Sequence, residues 1–257
     1  MTALGANISE LEIKRFWYDG YLVLPGLASP ERCVALRQIA TDHLKENIAP
    51  VEYEAEVQYP GSPASLESEG GGTVRRLLHA YSRHTAFRDW STDEQVAETL
   101  RQLMQANQVC LSQCHHNCIM TKQPGYSSAT LWHQDNRYWS FDEENLISVW
   151  LALGDETVKN GCLRVIPGSH TLQLDRGRYD AAQFLRPDLQ ENKELISASR
   201  VVELNEGDVL FFHSRLFHAA GRNLTDEVKF SAVFTYHEAG NRPIEGTRSA
   251  RYASVPI

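Results

Sequence analysis

The second half of the chain consists of short apolar segments separated by residues that favour turns. Candidate strands cover residues 108–122, 131–135, 146–153, 163–166, 201–204, 209–212 and 229–236. Asn160-Gly161 lies between two of these segments and is the strongest hairpin signal, while Pro167-Gly168 and Gly207-Asp208 mark further turns. Many short strands preceded by helices predict a mainly β protein with buttressing helices (α+β), arranged as a cupin-like double-sheet jelly roll.

The first 107 residues predict helices that buttress this core. Ser9 is placed to cap a helix over residues 8–18, Ser29-Pro30 opens a second helix that runs to about residue 47, and residues 93–104 form a third. Residues 51–72 contain two prolines and three adjacent glycines, which predicts a long mobile loop, either a lid over a site or a surface segment without that role. We predict one domain over residues 1–257, with a helical buttress (1–107), a jelly-roll core (108–240) and a C-terminal tail (241–257).

Composition and charge are those of an ordinary globular protein. The formal net charge is −8 and no run of lysine or arginine stands out, which argues against nucleic acid or an anionic membrane as the main partner. Residues 1–7 lack the basic and apolar parts of a secretory signal, and no apolar run approaches the ~18 residues of a membrane span. Five cysteines without disulfide-framework spacing predict free thiols in a reducing, cytoplasmic compartment.

One histidine and one carboxylate stand two residues apart in His133-Gln134-Asp135, at a predicted strand end. Residues i and i+2 of a strand share a face, so the two side chains can enter one cavity. They are two thirds of the 2-His-1-carboxylate set of non-haem Fe(II) oxygenases. The third ligand must come from a distant strand, and the candidates are His170, His213, His218 and His237. His218 follows a strong predicted strand, and the small residues beside it leave room for a bound molecule.

A second cluster of metal-binding residue types lies on the candidate strand 108–122. It contains three cysteines and two histidines: Cys110, Cys114, His115, His116 and Cys118. Structural zinc motifs usually pair their ligands across short turns, whereas this segment reads as one strand. Buried core thiols are therefore the favoured interpretation over zinc.

Four segments together resemble the phytanoyl-CoA dioxygenase-like family of Fe(II)/2-oxoglutarate oxygenases. They are, in chain order, FWYDGYLVLPGL, WHQD, VWLALGDETVKNGCLRVIPGSH and GDVLFFHSRLFHAAGRN. The resemblance implies a double-stranded β-helix, a form of jelly roll, with His133, Asp135 and His218 as catalytic iron ligands. It also implies that the open coordination positions take 2-oxoglutarate and O2. Because related halogenases have a small residue where Asp135 stands, the resemblance implies hydroxylation of a small molecule, with conversion of 2-oxoglutarate to succinate and CO2.

The expected co-substrate site departs from the family pattern. In this family an arginine eleven residues after the distal histidine binds the far carboxylate of 2-oxoglutarate, and here that position is Lys229. Lysine supplies the charge but not the bidentate fork of arginine. Ser231 lies two residues along the same strand and can add a hydroxyl, while Arg222 is a competing candidate for the carboxylate. The resemblance also places Asn117, Thr121 and Trp150 towards 2-oxoglutarate, with Arg75 or Arg76 as a further contact.

Arg137, Tyr138 and Trp139 follow the metal motif directly and lie where a substrate can sit. Further arginines and a histidine near the C-terminus are candidates for the entrance: His237, Arg242, Arg248 and Arg251. A mouth with arginine and aromatic groups favours a carboxylate-bearing or anionic small molecule, and the loops 51–72 and 171–199 are expected to contact it. Two alternatives stay open: a non-catalytic cupin-like small-molecule binding protein, and a metal-dependent oxygenase that does not use 2-oxoglutarate. The sequence indicates neither the prime substrate nor the oligomeric state.

Overall fold

Two antiparallel sheets pack face to face in the computed structural model, which describes residues 8–257. The strands are β1 (Tyr21–Leu24), β2 (Val51–Tyr53), β3 (Val74–Leu78), β4 (Val109–Lys122), β5 (Thr130–His133), β6 (Leu146–Ala152), β7 (Leu163–Val165), β8 (Arg200–Val202), β9 (Val209–His213), β10 (His218–Ala220), β11 (Lys229–Glu238) and β12 (Val255–Pro256). The larger sheet has the order β1-β9-β6-β11-β4-β3-β2, with β12 beside β4, and the smaller has the order β5-β10-β7-β8. This confirms the predicted jelly roll.

The α-helices of residues 8–257 are α1 (Glu10–Asp19), α2 (Pro30–Lys45), α3 (Glu54–Val57), α4 (Ala80–Arg83), α5 (Thr85–Ser91), α6 (Glu94–Met104) and α7 (Gln190–Ser197). The first two begin directly after the predicted caps, Ser9 and Ser29. At the start of α1 the Ser9 hydroxyl accepts from the Glu12 N–H at 3.2 Å, and the Glu12 carboxylate accepts from the Ser9 N–H at 2.7 Å. This capping box satisfies donors that the first turn leaves free. Gly20 ends the helix in the left-handed region at φ 83°.

The larger sheet has two differently covered faces because side chains alternate along its strands. Val149, Phe211 and Phe234 belong to the core that packs against the helices. Trp150 and Val233, one residue away from two of these, belong to the core between the two sheets. Below, the face towards the smaller sheet is called the inner face and the other the helix side.

A β-bulge in β4 interrupts the predicted strand over residues 108–122. Asn117 pairs with Phe234 of β11, but the next residue of β11, Thr235, pairs with Ser112, and His115 has a positive φ of 61°. Residues 113–116 have no partner in β11, and because their number is even the alternation continues unchanged beyond the bulge. Asn117 lies on the helix side with its partner Phe234, as Leu111 does before the bulge, while His116 points to the inner face.

The hairpin predicted at Asn160-Gly161 is wrong. The strands on either side, β6 and β7, lie in different sheets, so this connection crosses from one sheet to the other. The turn itself is present: Gly161 has φ 80°, and a Cβ there would lie 2.5 Å from the Gly221 carbonyl oxygen. The local sequence therefore predicted the turn correctly but not which strands pair on either side of it. That pairing depends on packing in the core between the two sheets.

The predicted loop 51–72 begins with regular secondary structure. β2 pairs with β3, and in the short helix α3 the side chain of Glu54 is buried. The C-terminal segment also adds a strand, because β12 pairs with β4. None of the helices in the described part of the chain is long and apolar enough to cross a membrane.

Candidate metal centre

His133 and His218 stand directly opposite each other on neighbouring strands. β5 and β10 are antiparallel, and their register pairs these two residues. His218 also pairs with Val165 of β7, which belongs to the core between the sheets, so both imidazoles lie on the inner face. Their ring centroids are 4.3 Å apart. The strand pairing thus fixes two of the predicted ligands side by side.

Asp135 completes the cluster from just beyond the strand. β5 ends at His133, and Asp135 begins the 3-10 helix Asp135–Tyr138. Its Oδ1 lies 3.4 Å from Nε2 of His133 and 3.5 Å from Nε2 of His218. Ligand atoms of the three residues all lie within 4.8 Å of one another. The predicted grouping is present, although the turn rather than strand alternation brings Asp135 in.

Backbone carbonyls orient both imidazoles. Nδ1 of His133 is 2.8 Å from the Leu131 carbonyl oxygen, and Nδ1 of His218 is 3.0 Å from that of Leu216. A carbonyl can only accept, so each Nδ1 carries the proton and donates it. Each Nε2 then presents a lone pair to Asp135, which is the arrangement that a metal-bound histidine needs.

The Asp135 carboxylate is fully buried, and neither of its oxygens accepts a hydrogen bond. A buried ionised carboxylate without donors is strongly unfavourable in a folded protein unless a cation compensates it. Two imidazole lone pairs face the same oxygen. The residues therefore fit a divalent metal ion bound through two histidines and one carboxylate.

His116 is a fourth member of the site that sequence reasoning placed in the zinc cluster. Its Nδ1 lies 3.4 Å from Oδ2 of Asp135 and 3.3 Å from the Ser148 hydroxyl, which is 2.9 Å from the Thr235 hydroxyl. Burial lowers the pKa of His116 to about 4 and that of His218 to about 4, so both are neutral near pH 7.

The other candidate ligands lie elsewhere. His213 accepts the Arg215 N–H on its Nδ1 at 3.0 Å and packs edge-on against Trp17. His170 Nε2 is 3.1 Å from the Trp17 carbonyl oxygen, and His237 Nε2 is 2.7 Å from the Ser254 hydroxyl. Among residues 8–257, His133, Asp135 and His218 form the one group of three potential ligands. The five cysteines are buried free thiols, as predicted, and the zinc alternative has no ligand cluster in this range.

Three of the predicted co-substrate residues converge on a carboxylate that the sequence did not single out. Lys229 Nζ donates to Oε2 of Glu156 at 2.7 Å. The Ser231 hydroxyl and the Trp150 indole N–H both donate to Oε1 of Glu156, at 2.6 and 2.8 Å. The Lys229 ammonium also lies 5.1 Å from the centre of the Trp150 ring. Lys229 and Ser231 are on the inner face, since Val233 next along that face belongs to the core between the sheets.

The profile of one protein family, phytanoyl-CoA dioxygenase (PhyH), matches residues 16–231. The chain belongs to the phytanoyl-CoA dioxygenase family. Phytanoyl-CoA dioxygenase domain-containing protein 1 of Danio rerio is 22% identical over 90% of this chain and 89% of its own length. The ectoine dioxygenase of Stutzerimonas stutzeri (strain A1501) is 23% identical, over 92% of this chain and 79% of its own.

Solved structures share the fold of this phytanoyl-CoA dioxygenase family member. EctD from S. alaskensis with 2-oxoglutarate and 5-hydroxyectoine superposes with a TM-score of 0.74 and 22% identity, covering 95% of this chain and 80% of EctD. The epimerase SnoN in complex with Fe3+, alpha ketoglutarate and nogalamycin RO gives 0.73 and 22%, covering 93% and 90%. At such identities the likeness shows the fold.

Asn117 and Thr121, which the family resemblance places towards 2-oxoglutarate, lie on the other side of the large sheet. Asn117 Oδ1 accepts the Tyr81 N–H at 2.8 Å, and the Thr121 hydroxyl donates to the Val74 carbonyl at 2.6 Å. The predicted facing is therefore wrong for both residues, because they share the face of β4 that carries Leu111 and Ile119 into the core against the helices.

The alternative cations for a carboxylate are already engaged. Arg222 Nε donates to the Ser127 carbonyl at 3.0 Å. Arg76 binds both oxygens of Glu52, and Arg75 Nη1 donates to the Ser128 hydroxyl at 2.9 Å and lies 3.3 Å from Glu54.

An aromatic roof lies over His133, formed by Tyr59, Tyr138 and Phe184. The Phe184 ring is 5.6 Å from the His133 ring, and the hydroxyls of Tyr59 and Tyr138 are 3.3 Å apart. The guanidinium of Arg137 lies 4.3 Å from the Phe184 ring and 5.0 Å from the Tyr138 ring. Its Nη1 is buried and has no acceptor.

The other predicted substrate contacts divide into two groups. Trp139 is held in the core, where its indole N–H donates to the Cys114 carbonyl at 3.2 Å. At the C-terminal side, an Arg248 Nη is 3.1 Å from Nδ1 of His115, whose ring stacks on Tyr138 at 3.7 Å. Arg251 lies beside the half-exposed Tyr252, and the Arg242 backbone pairs with Asp142. Arg248 thus reaches the aromatic roof through His115, while Trp139 packs against Tyr138 from the core.

Proposed function

We propose that this phytanoyl-CoA dioxygenase family member is an Fe(II)- and 2-oxoglutarate-dependent dioxygenase that hydroxylates a small molecule. The observation that carries the proposal is the buried Asp135 carboxylate, which lacks hydrogen-bond donors and faces the Nε2 atoms of His133 and His218. The family assignment and the iron- and 2-oxoglutarate-bound relatives support it. When bound, Fe(II) would supply the oxidising chemistry that couples conversion of 2-oxoglutarate and O2 into succinate and CO2 to oxidation of a substrate C–H bond.

The residues of the chain have separable roles in this proposal. His133, Asp135 and His218 would hold the iron, and the carbonyls of Leu131 and Leu216 keep both imidazoles in the ligating tautomer. Lys229, Ser231 and Trp150 would lie on the inner face next to the 2-oxoglutarate. The rings of Tyr59, Tyr138 and Phe184 exclude water from His133.

For the substrate we propose a small molecule with a carboxylate or another anionic group. Arg137 carries the argument, because its guanidinium is held between two rings and its buried Nη1 has no acceptor. An unpartnered buried donor is costly, and an anionic oxygen would satisfy it with a charge-assisted hydrogen bond. The buried free thiols support a reducing compartment, which we propose is the cytoplasm.

The test is 2-oxoglutarate turnover together with metal content. Purified protein with Fe(II) and ascorbate is expected to form succinate, and His133→Ala is expected to lose both bound iron and succinate formation. His43→Ala, on α2, removes an imidazole outside the centre and serves as the matched control. Iron retained by His133→Ala, or no succinate from the iron-loaded wild-type protein, would contradict the proposal.

One observation favours a second candidate, an iron-dependent oxygenase or binding protein that does not use 2-oxoglutarate. The Lys229 ammonium, which would hold the far carboxylate, already binds Glu156. Oxygen uptake without succinate would identify such an oxygenase. Iron binding with neither oxygen uptake nor succinate would identify the binding protein.

A further inference from the structure

The buried cluster around Glu156 has the form of a carboxylate-binding site that is already filled. Glu156 is 1% exposed and Lys229 is 5% exposed. An ammonium, a hydroxyl and an indole N–H all donate to this one carboxylate. The Ser231 hydroxyl also accepts from Lys229 at 3.2 Å, so the donors are linked to one another. Such a carboxylate has its hydrogen bonds supplied by the protein without water.

The backbone holds Glu156 in this position. Glu156 lies after β6 and forms an isolated bridge with Leu204, whose carbonyl accepts the Glu156 N–H at 2.7 Å and whose N–H donates back at 3.0 Å. Two backbone hydrogen bonds on one residue fix where its side chain starts. Moving the Glu156 side chain away from Lys229 would therefore leave a buried ammonium without its carboxylate, because the Glu156 backbone cannot shift to restore the contact.

The filled site at Lys229 affects how the far end of the 2-oxo acid co-substrate can bind. This inference rests on the function proposed above. We propose that Glu156 determines co-substrate selectivity: its carboxylate stays on Lys229 and takes the place of the far carboxylate of a 2-oxo diacid. A second carboxylate at Lys229 would either displace Glu156 from its three donors or lie beside a like charge. A 2-oxo acid with an uncharged tail meets neither penalty. The site therefore binds the 2-oxo acid head with little preference for the second carboxylate of 2-oxoglutarate.

The experiment compares 2-oxoglutarate with 2-oxopentanoate, which has the same chain length but a methyl end. Dissociation constants are measured anaerobically by calorimetry on the Fe(II)-loaded protein. For the wild-type protein the two constants are expected to lie within about 10-fold, less than the gain that one new charge-assisted hydrogen bond gives. In Glu156→Gln the constant for 2-oxoglutarate is expected to fall at least about 10-fold, while that for 2-oxopentanoate changes less than about 3-fold.

Glu206→Gln is the matched control, because it removes the same charge from a carboxylate that pairs with Arg37 instead. It is expected to leave the ratio of the two constants unchanged. A wild-type preference for 2-oxoglutarate above about 100-fold would overturn the inference, as would a Glu156→Gln protein with the wild-type ratio.

A measurement on the wild-type protein makes the result independent of whether Glu156→Gln folds. Trp150 donates its indole N–H to Glu156, and its resonance among the five tryptophans is assigned with Trp150→Phe. In protein loaded with diamagnetic Zn(II), the Trp150 indole resonance is expected to have the same position after saturation with 2-oxoglutarate as after saturation with 2-oxopentanoate. A shift with 2-oxoglutarate alone would show that Glu156 has been displaced and would overturn the inference.

The same data separate this inference from the proposed function. If neither 2-oxo acid binds the metal-loaded protein, the proposed function fails and the inference fails with it. If both bind and 2-oxoglutarate is strongly preferred, the proposed function stands and only the role of Glu156 is wrong.

Discussion

The imidazole of His116 lies on the open side of Asp135, with its Nδ1 3.4 Å from Oδ2, while His133 and His218 face Oδ1. The two oxygens of one carboxylate therefore have different neighbours. Oδ1 is turned to the two imidazoles with free lone pairs, and Oδ2 to a histidine that also contacts Ser148. We predict that His116 positions Asp135 from behind without belonging to the ligand set.

Replacing His116 tests this positioning role. We predict that His116→Leu weakens Fe(II) binding by about 10–100-fold, because residues that hold a ligand in place contribute about that much to metal affinity. The measurement is an anaerobic titration of the metal-free protein with Fe(II). His116→Asn, which keeps a polar group beside Oδ2, is expected to recover part of the affinity. Equal affinity in His116→Leu and wild-type protein would refute the role.

Removing the charge of Asp135 should have opposite effects on stability with and without metal. Without metal the buried carboxylate lacks hydrogen-bond donors, so Asp135→Asn is predicted to raise the free energy of unfolding by about 1–3 kcal/mol. Wild-type protein is predicted to gain about 2.7 kcal/mol from metal at 100 times its Kd, and the variant to gain nothing. Denaturation with EDTA and with Mn2+ measures both effects.

The exposed Asp188, which pairs with Arg186, supplies the control for that experiment. Asp188→Asn removes the same charge and is expected to keep the full metal-dependent gain. A metal-free Asp135→Asn protein that is less stable than wild type would show that Asp135 is compensated by something other than a metal.

Removing one partner of the Lys229–Glu156 pair should destabilise the fold more than removing both partners. Lys229→Met leaves the buried Glu156 carboxylate without its cation and is predicted to destabilise the fold by about 3–5 kcal/mol. The double variant Lys229→Met with Glu156→Gln is predicted to recover at least half of that loss. Urea denaturation of the four proteins in the cycle gives the coupling free energy, and additive losses would exclude a direct pair.

Lys122 should make stability depend on pH in the alkaline range. Its Nζ donates to the carbonyls of Ser128 and Gly221, at 2.9 and 2.6 Å, and burial, with Arg75 and Lys229 nearby, lowers its pKa to about 7. Since an unfolded lysine has a pKa near 10.4, the unfolded chain binds the extra proton between these values. The contribution of Lys122 to stability therefore rises with pH from about 7 to about 10, by at most about 1.4 kcal/mol per unit.

Unfolding free energies of wild type and Lys122→Met, measured at several pH values, isolate this term. The difference between the two proteins is expected to shift in favour of wild type as the pH rises from 7 to 10. Lys14→Met changes an exposed lysine and is expected to give a pH-independent difference. A difference that stays flat for Lys122→Met would mean that this lysine remains charged in the folded protein.

The parts of the site that local sequence rules reached are those set by neighbouring residues. His133 and Asp135 lie two residues apart, whereas local rules left four histidines open as the third ligand and the family resemblance selected His218. Glu156 could not be found in this way, because it meets Lys229 across 73 residues of chain. A carboxylate in a turn gives no sign that its backbone will bridge to Leu204 and direct it inward.

The same limit explains the errors in β4 and at Asn160-Gly161. Which face of β4 turns inward depends on its pairing with β11, which lies more than a hundred residues further along. The Asn160-Gly161 turn obeys local rules, but the choice between a hairpin and a crossing depends on which sheet buries β7. Both errors concern long-range pairing rather than propensity.

Under the proposed function, the residues of the aromatic roof that contact substrate come from other parts of the chain than the residues that would bind the metal. The proposed metal ligands sit on paired strands and the turn that follows them, whereas Tyr59 and Phe184 come from segments outside both sheets. Exchange of those two segments would therefore change which molecules fit above His133 without moving the strands that carry the ligands. A relative's loops, transplanted as a pair because their rings touch at 5.3 Å, would be the natural unit for redirecting this enzyme to a new substrate.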